Sequence, residues 1–196
     1  MTTPIELTVT ADVTSSHWLG GQQQATGAWC FAAATATVQH GFGTEISQGE
    51  IAHKVLMARG EANDPQQNAA QYLVGVQNLW ALHNLNDTSW ASVGQYVNTD
   101  DTLRGYLRQS WGSPLLEGRT SNLGGRLTES EITTTLDNNG LVLSGNAMHW
   151  KVIYGYLRYS DGSLKLKVYD PMNGASNPVP AATVRNDMQV SYRITA

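Results

Sequence analysis

The segment at residues 29–40 places the strongest constraint on the fold, because its sequence, WCFAAATATVQH, is small and apolar on nearly every side. A helix on the surface of a domain normally carries one polar face, and this segment has none. We therefore expect a central helix that is packed on all sides, with Cys30 in its first turn. A strand over residues 5–13 and a loop rich in Ser, Gly and Gln over residues 14–28 are predicted to precede it.

Helix-start patterns follow this segment and predict a mainly helical first half. Ser47-Gln-Gly-Glu50 is a capping-box pattern, in which the first and last side chains each bond the other residue's backbone N–H. Asp64-Pro65 places a capping carboxylate before a proline that suits the first turn of a helix. Thr99-Asp-Asp precedes another apolar run at helical spacing, so further helices are expected at both places.

The second half of the chain is predicted to be a sheet. Residues 111–126 are rich in Gly, Pro, Ser and Asn, which favours an irregular crossing between two lobes. A capping box at Thr128-Glu-Ser-Glu131 predicts one more helix after the crossing. The β-type runs are LVLSGN, HWKVIYGYLRYS, SLKLKVYD and MQVSYRIT, and Ser160-Asp-Gly-Ser163 supplies a hairpin turn between the second and third.

The length of the chain, 196 residues, suits one domain rather than two independent ones. We therefore predict a single α+β domain over residues 1–196. It would have a helical lobe over about residues 14–110 and an antiparallel, barrel-like sheet lobe over about residues 127–196. One active centre is expected, in the cleft between the lobes.

Charge and hydropathy exclude several classes of partner. Charged residues make up 14% of the chain, the formal charge is −4 and the pI is about 5.7, so no cationic surface is expected for nucleic acid or an anionic membrane. The sequence contains no apolar run of about 18 residues that would span a bilayer. The first residues, MTTPIE, lack the basic and apolar stretches of a signal peptide. We expect a soluble protein that is cytoplasmic or is secreted without a Sec signal.

The sequence lacks motifs for metals and common cofactors. Its five histidines form neither an HExxH pattern nor a Cys/His pattern at zinc spacing. GxGxxG, GxxxxGK[ST] and GxSxG, which mark nucleotide sites and serine hydrolases, do not occur either. We therefore predict no metal and no cofactor.

Cys30 is the single cysteine, so its thiol serves either chemistry or packing. In the first turn of a helix the thiol would meet unpaired N–H groups and the positive end of the helix dipole, which favour the thiolate. The alternative is that it fills space beside Trp29 and Phe31, since free cysteine is among the most buried residue types. Position alone favours this alternative.

Three other residues change that balance through their order and spacing. Gln24 precedes Cys30 by six residues, His149 begins a β-type run, and Asp170 ends the next run twenty-one residues beyond the histidine. Each has an ordinary explanation by itself: a solvated glutamine in a loop, a structural histidine and an Asp-Pro turn. Their joint occurrence with a cysteine on a helix favours a site for acyl transfer.

Several stretches of the chain carry a resemblance to a known family: QATGAWCFAAATATVQHGFG, EIAHKVL, NNGLVLSGN, MHWKVIYGY and LKLKVYDPMNG. In these stretches the chain resembles the papain-like cysteine peptidases, and among them the staphopains and the effector peptidases of bacterial plant pathogens. The similarity extends from about Gln24 to Gly174. It implies a papain-like fold whose helical lobe begins its central helix at the catalytic cysteine.

Acyl-transfer chemistry and the resemblance together assign a role to each of the four residues. Cys30 would be the nucleophile, and His149 would be the base that takes its proton to give a thiolate–imidazolium pair. Asp170 would orient the histidine ring, where papain has an asparagine. In the resembled family the glutamine at the position of Gln24 donates to the oxyanion, together with the backbone N–H of the cysteine.

Two neighbours of His149 depart from the pattern of the family. Met148 and Trp150 stand where small residues are common. Their size predicts a narrowed or reshaped cleft beside the histidine.

The resemblance implies a function but leaves the electrophile open. The leading hypothesis is an endopeptidase that hydrolyses protein substrates through an acyl-enzyme, in a secreted bacterial effector or toxin. The same triad would also serve a deamidase, a peptide cyclase or an acyltransferase. A catalytically idle binding module is a further alternative, which the intact set of four residues disfavours. Fewer than thirty residues precede Cys30, too few for the pro-region of staphopain-like enzymes. We expect either that a pro-region has been removed or that a partner, such as an inhibitor or immunity protein, restrains the enzyme.

Overall fold

The computed structural model describes residues 7–25, 29–51, 120–121, 125–146 and 149–195. In chain order its elements are β1 (Val9–Thr14), α1 (Cys30–Gly41), β2 (Thr120–Ser121), α2 (Glu129–Asp137), β3 (Leu141–Gly145), β4 (Trp150–Tyr159), β5 (Leu164–Asp170), β6 (Gly174–Ala175), β7 (Val179–Pro180), α3 (Ala181–Asp187) and β8 (Val190–Ile194). Residues 48–51 are also helical. The helix starts predicted at Asp64-Pro65 and Thr99-Asp-Asp lie outside the described residues.

The strands form one antiparallel sheet, and with the helices they confirm the predicted α+β class. Hydrogen-bonded neighbours follow the order β2-β8-β3-β4-β5-β6, with β1 paired to β4 and β7 paired to β5. Among the described residues this path does not close, so the sheet is open, whereas the sequence predicts a barrel-like lobe. The long strand β4 accommodates three partners, because β3 pairs with its first half, β1 with its second half and β5 with most of its length.

Two strands of this sheet come from outside the stretch predicted to form it. β1 lies near the N-terminus and pairs with the second half of β4. β2 lies within residues 111–126, which are predicted to be irregular, and pairs with β8. Local composition does not reveal such pairings, because the partner strands are far away in sequence.

Helix α1 is buried on all sides, as its composition predicts. Every residue of α1 except His40 is buried, and the helix packs on β3 and β4. Thr37 is tolerated inside because its hydroxyl donates to the Ala33 carbonyl one turn earlier, at 2.8 Å. The packing therefore holds Cys30, the first residue of the helix, close to the sheet.

An apolar cluster joins the sheet to α2 and α3. Its members are Leu127, Ile132, Leu136, Val142, Ile153, Tyr156, Leu164, Leu166, Val168, Ala181 and Met188. Burial of each large aliphatic side chain contributes about 1.5–3 kcal/mol to the free energy of unfolding. The cluster thus stabilises the strands β3, β4 and β5, whose ends carry the candidate site.

The capping boxes and the hairpin predicted from sequence are confirmed. The Thr128 N–H donates to Glu131 Oε2 at 2.8 Å, and the Glu131 N–H donates to Thr128 Oγ1 at 3.2 Å. Ser47 and Glu50 make the equivalent reciprocal bonds. Between β4 and β5 the chain turns through Gly162, whose φ of 83° suits glycine.

Helix α3 is not predicted by the sequence. Its N-cap is Pro180, and no side chain caps it, so the usual start signal is missing. None of the helices in the described ranges is long and apolar enough to cross a membrane.

Candidate active site

His149 immediately precedes β4 and is held there by a turn that starts at Asn146. The Asn146 Oδ1 atom accepts from the His149 backbone N–H at 2.8 Å, and the Asn146 N–H donates to the His149 carbonyl at 3.0 Å. The Asn146 amide group also donates to Asp187 Oδ1, at the end of α3, at 2.7 Å. These bonds fix the backbone of His149 independently of its side chain.

The side chains of His149 and Asp170 form a direct hydrogen bond. The His149 Nε2 atom lies 2.7 Å from Asp170 Oδ1, and the two side chains are only 17% and 18% exposed. Asp170 is the last residue of β5, which runs antiparallel to β4, so both residues lie at the same end of the sheet. The other ring nitrogen, Nδ1, has no hydrogen-bond partner in the part of the chain that the structure describes. It is therefore the nitrogen left to accept a proton from a thiol.

Three donors converge on the carboxylate of Asp170. Besides His149, the Met172 N–H donates to Oδ1 at 2.8 Å and Asn173 Nδ2 donates to Oδ2 at 3.3 Å. Burial by itself would raise the pKa of Asp170, but these hydrogen bonds, led by that of Met172, hold the pKa below its usual value. Asp170 is therefore an anion, which would stabilise a positive charge on His149.

Cys30 occupies the first position of α1, as predicted, but its surroundings do not favour the thiolate. The residue is 4% exposed, and burial raises the pKa of the thiol above its usual value. Hydrogen bonds from the backbone N–H groups of Trp150 and Phe31 lower the pKa, and the negative charge of Asp170 raises it again. The N–H groups at the start of the helix lower the pKa of the thiol, as expected, but desolvation outweighs them.

The Trp150 backbone N–H is near enough to the Cys30 sulfur to lower the pKa of the thiol, and Trp150 directly follows His149. Helix α1, which begins at Cys30, packs on β3 and β4. Among the hydrogen bonds of the described residues, none joins Cys30 directly to His149. The structure thus brings His149 and Asp170 into contact and brings Cys30 next to the backbone that carries His149.

Gln24 lies in a loop that is tied to the turn after Asp170. The Gln24 N–H donates to the Pro171 carbonyl at 2.9 Å, and the Gln24 Oε1 atom is buried. Earlier in the loop, Gly21 lies so close to the ring of Tyr169 that a Cβ atom there would be 2.2 Å from Cζ. The loop therefore contacts the end of β5 at two places, on either side of Asp170.

Trp150 is packed against the sheet. Its ring stacks on that of Tyr192, with 5.8 Å between centroids, and the residue is 3% exposed. Trp150 pairs with Gly145 of β3, where a Cβ atom would be 2.9 Å from the indole ring. The large side chain thus fits because its cross-strand partner is glycine. Met148 lies outside the described residues, and the reshaped cleft stays a prediction.

Sequence reasoning does not identify three residues that hold the backbone around the site: Asn146, Asn173 and Gln48. Asn173 carries a local signal, since it follows an Asp-Pro turn and bonds the aspartate three residues earlier. Gln48 bonds residues twenty-three and twenty-five positions away, for which no local pattern exists.

Within the described ranges, no group of three His, Cys, Asp or Glu side chains is placed to hold a metal ion.

A comparison of the chain with models of known protein families found no match. A search of curated proteins found no match either.

Proposed function

We propose that this protein is a cysteine endopeptidase with a papain-like arrangement, in which Cys30, His149 and Asp170 form the triad and Gln24 donates to the oxyanion. The observation that carries the proposal is the 2.7 Å contact between His149 Nε2 and Asp170 Oδ1 beside β4, on which the helix that begins at Cys30 packs. The β4–β5 hairpin accounts for the pairing of His149 with Asp170, whereas Cys30 comes from a distant segment of the chain.

The first half of the reaction forms an acyl-enzyme. The Cys30 thiol transfers its proton to His149 Nδ1, and the thiolate attacks the carbonyl carbon of the scissile bond, forming a C–S bond. The carbonyl electron pair moves to oxygen, where the Gln24 amide and the Cys30 N–H would donate to it, at about 3 kcal/mol per donor. The oxyanion then collapses, the C–N bond breaks, and the leaving amine takes the proton from His149.

The second half of the reaction releases the acyl group. Water gives a proton to His149 Nδ1 as its oxygen attacks the thioester carbon. The C–S bond breaks, a carboxylic acid leaves, and the proton returns to the Cys30 sulfur. Asp170 keeps Nε2–H as a donor throughout, so the ring presents Nδ1 to the reacting atoms in both halves.

The papain-like arrangement also suggests the biology of the protein. Extended peptide segments of protein substrates would bind at the end of the sheet beside Cys30. An effector or toxin, secreted without a Sec signal or acting in the cytoplasm, and restrained by an inhibitor or immunity protein, fits this activity. These assignments rest on the resemblance rather than on a contact in the molecule.

The proposal is tested by incubating the protein with a library of unmodified peptides and reading the products by mass spectrometry. New chain termini are expected with the parent and not with Cys30→Ala. An epoxide inhibitor of papain-like enzymes should add one equivalent, at Cys30. Conversion of glutamine to glutamate without cleavage would overturn the peptidase assignment in favour of deamidation. Cleavage by pure Cys30→Ala protein would overturn the assignment of the nucleophile.

A further inference from the structure

The loop that carries Gln24 is held on both sides of that residue by the side chain of Gln48. The Gln48 Nε2 group donates to the Gln23 carbonyl at 2.9 Å, and the Gln48 Oε1 atom accepts from the Ala25 N–H at 3.0 Å. A carbonyl needs a donor and an N–H needs an acceptor, so the orientation of the amide is fixed. The nitrogen and the oxygen of one side-chain amide therefore bond the two sequence neighbours of Gln24.

Gln24 itself is bonded in another direction. Its backbone N–H donates to the Pro171 carbonyl, next to Asp170, at 2.9 Å. The Gln22 N–H, two positions before Gln24, donates to Thr37 Oγ1 of α1 at 2.8 Å. Backbone groups of four consecutive residues are therefore occupied, which leaves this part of the loop little conformational freedom.

The amide of Gln48 is not needed to start its own helix. Ser47 and Glu50 cap that start through reciprocal bonds of 2.9 and 3.1 Å. Gln48 is nevertheless a buried polar residue, at 9% exposure. A buried amide that lost its partners would destabilise the fold, so both bonds to the loop matter. The side chain thus serves the loop rather than the helix.

We propose that Gln48 is a positioning residue that holds Gln24 in the geometry required for oxyanion stabilisation. The inference rests on the proposed function, in which Gln24 is an oxyanion donor. Such donors work because they are oriented before the reaction, and a small displacement removes much of their effect. Among the hydrogen bonds of the described residues, none joins the Gln48 side chain to Cys30, His149 or Asp170, and its two bonds to the loop go to backbone groups beside Gln24.

The first test compares Gln48→Ala with Gln23→Ala on a fluorogenic peptide chosen because the parent cleaves it. Gln23 is the matched control, because it bonds Gln48 through its carbonyl and its side chain is exposed. We expect Gln48→Ala to lower kcat about tenfold with little change in KM, as for an interaction made in the transition state. Gln23→Ala should stay within about twofold of the parent. Equal kcat values in parent and Gln48→Ala would overturn the proposal.

A double-mutant cycle separates positioning of Gln24 from general support of the fold. If Gln48 acts through Gln24, adding Gln48→Ala to Gln24→Ala should lower kcat by less than about twofold further. Alkylation of Cys30 by iodoacetamide forms no oxyanion, so its rate should be the same in the parent and in both single variants. Losses in kcat that multiply, or an equal loss in alkylation, would show that Gln48 only supports the structure.

Hydrogen–deuterium exchange gives a readout that does not depend on activity. Gln48→Ala should speed exchange of the backbone amides at residues 22–25, and Gln23→Ala should not. Unchanged exchange would overturn the role of Gln48 in holding the loop. If exchange responds but the parent cleaves no peptide, the proposed function fails. If the parent is active and Gln48→Ala leaves kcat and exchange unchanged, only the role of Gln48 fails.

Discussion

Cys30 and the His149–Asp170 pair are held in place by different means. Cys30 belongs to a helix in which every residue except His40 is buried, and apolar packing sets its position. His149 and Asp170 lie at strand ends and are held by hydrogen bonds to each other and to their neighbours. Burial raises the pKa of the thiol, whereas hydrogen bonding lowers the pKa of the carboxylate.

This difference separates the positioning of the proposed nucleophile, Cys30, from its activation. A lone thiolate in a buried site loses its hydration, and the few N–H groups near Cys30 do not compensate for that loss. A positive charge on His149, stabilised by Asp170, would supply the missing compensation. The buried helix therefore determines where the sulfur lies, and the polar pair would determine when it is ionised.

The largest effect should follow from removing the histidine. We expect His149→Ala to lower turnover at least about a thousandfold, because no other group accepts the thiol proton. At pH 6 its alkylation by iodoacetamide should be at least about tenfold slower than that of the parent. The rise of the alkylation rate with pH should also move above the range of an ordinary cysteine, since burial raises the pKa of Cys30.

The control for this variant is His40→Ala. His40 lies on the same helix as Cys30 but is partly exposed and bonds Glu45 at 2.6 Å. Its removal should leave turnover and the pH profile of alkylation unchanged. Identical alkylation profiles for the parent and His149→Ala would mean that His149 does not influence the ionisation of the Cys30 thiol.

A substitution in the packed helix should affect stability instead. Ala33 is fully buried, so Ala33→Leu has no room for its added volume and should lower the free energy of unfolding by about 1–3 kcal/mol. Thr134→Leu, at an exposed position of α2, should change it by less than about 0.5 kcal/mol. Urea unfolding measures both. A tolerated Ala33→Leu would argue that packing does not hold α1 against the sheet.

The smallest of these effects is expected at Asp170. Two substitutions there distinguish the orientation of the His149 ring from the charge of the carboxylate. Asp170→Ala removes the acceptor for Nε2–H and should lower kcat at least about tenfold, or about 1.4 kcal/mol of transition-state stabilisation. Asp170→Asn keeps an acceptor oxygen and should retain much of the activity. Measuring kcat of the parent and both variants over a range of pH tests these expectations.

The stability of the same variants should follow the lowered pKa of Asp170. A carboxyl group whose pKa is lowered by folding stabilises the protein above its unfolded pKa, about 3.9, and loses this contribution as the pH falls through the folded value. The difference in unfolding free energy between the parent and Asp170→Asn should therefore shrink below about pH 4. Equal activities, pH limits and stabilities in all three proteins would mean that Asp170 is only a turn residue.

Much of the fold was predictable because its signals are local. The buried helix α1, the capping boxes of Ser47 and Thr128, and the hairpin at Gly162 each depend on residues within a few positions of one another. Pairing of β1 with β4 joins residues that are far apart in the sequence, so periodicity predicts the strand but not its partner. Helix α3 lacked a cap and gave no signal.

The sequence by itself determined the candidates for the site, namely Gln24, Cys30, His149 and Asp170, and the elements that carry three of them. Only the tertiary structure decided that His149 uses Nε2 toward Asp170, that burial raises the pKa of Cys30, and that Gln48 braces the loop of Gln24. Periodicity and capping are properties of neighbouring residues, and the sequence displays them directly. Burial, hydrogen-bond partners and pKa depend on groups from distant segments, so they exist only when packing has brought those segments together.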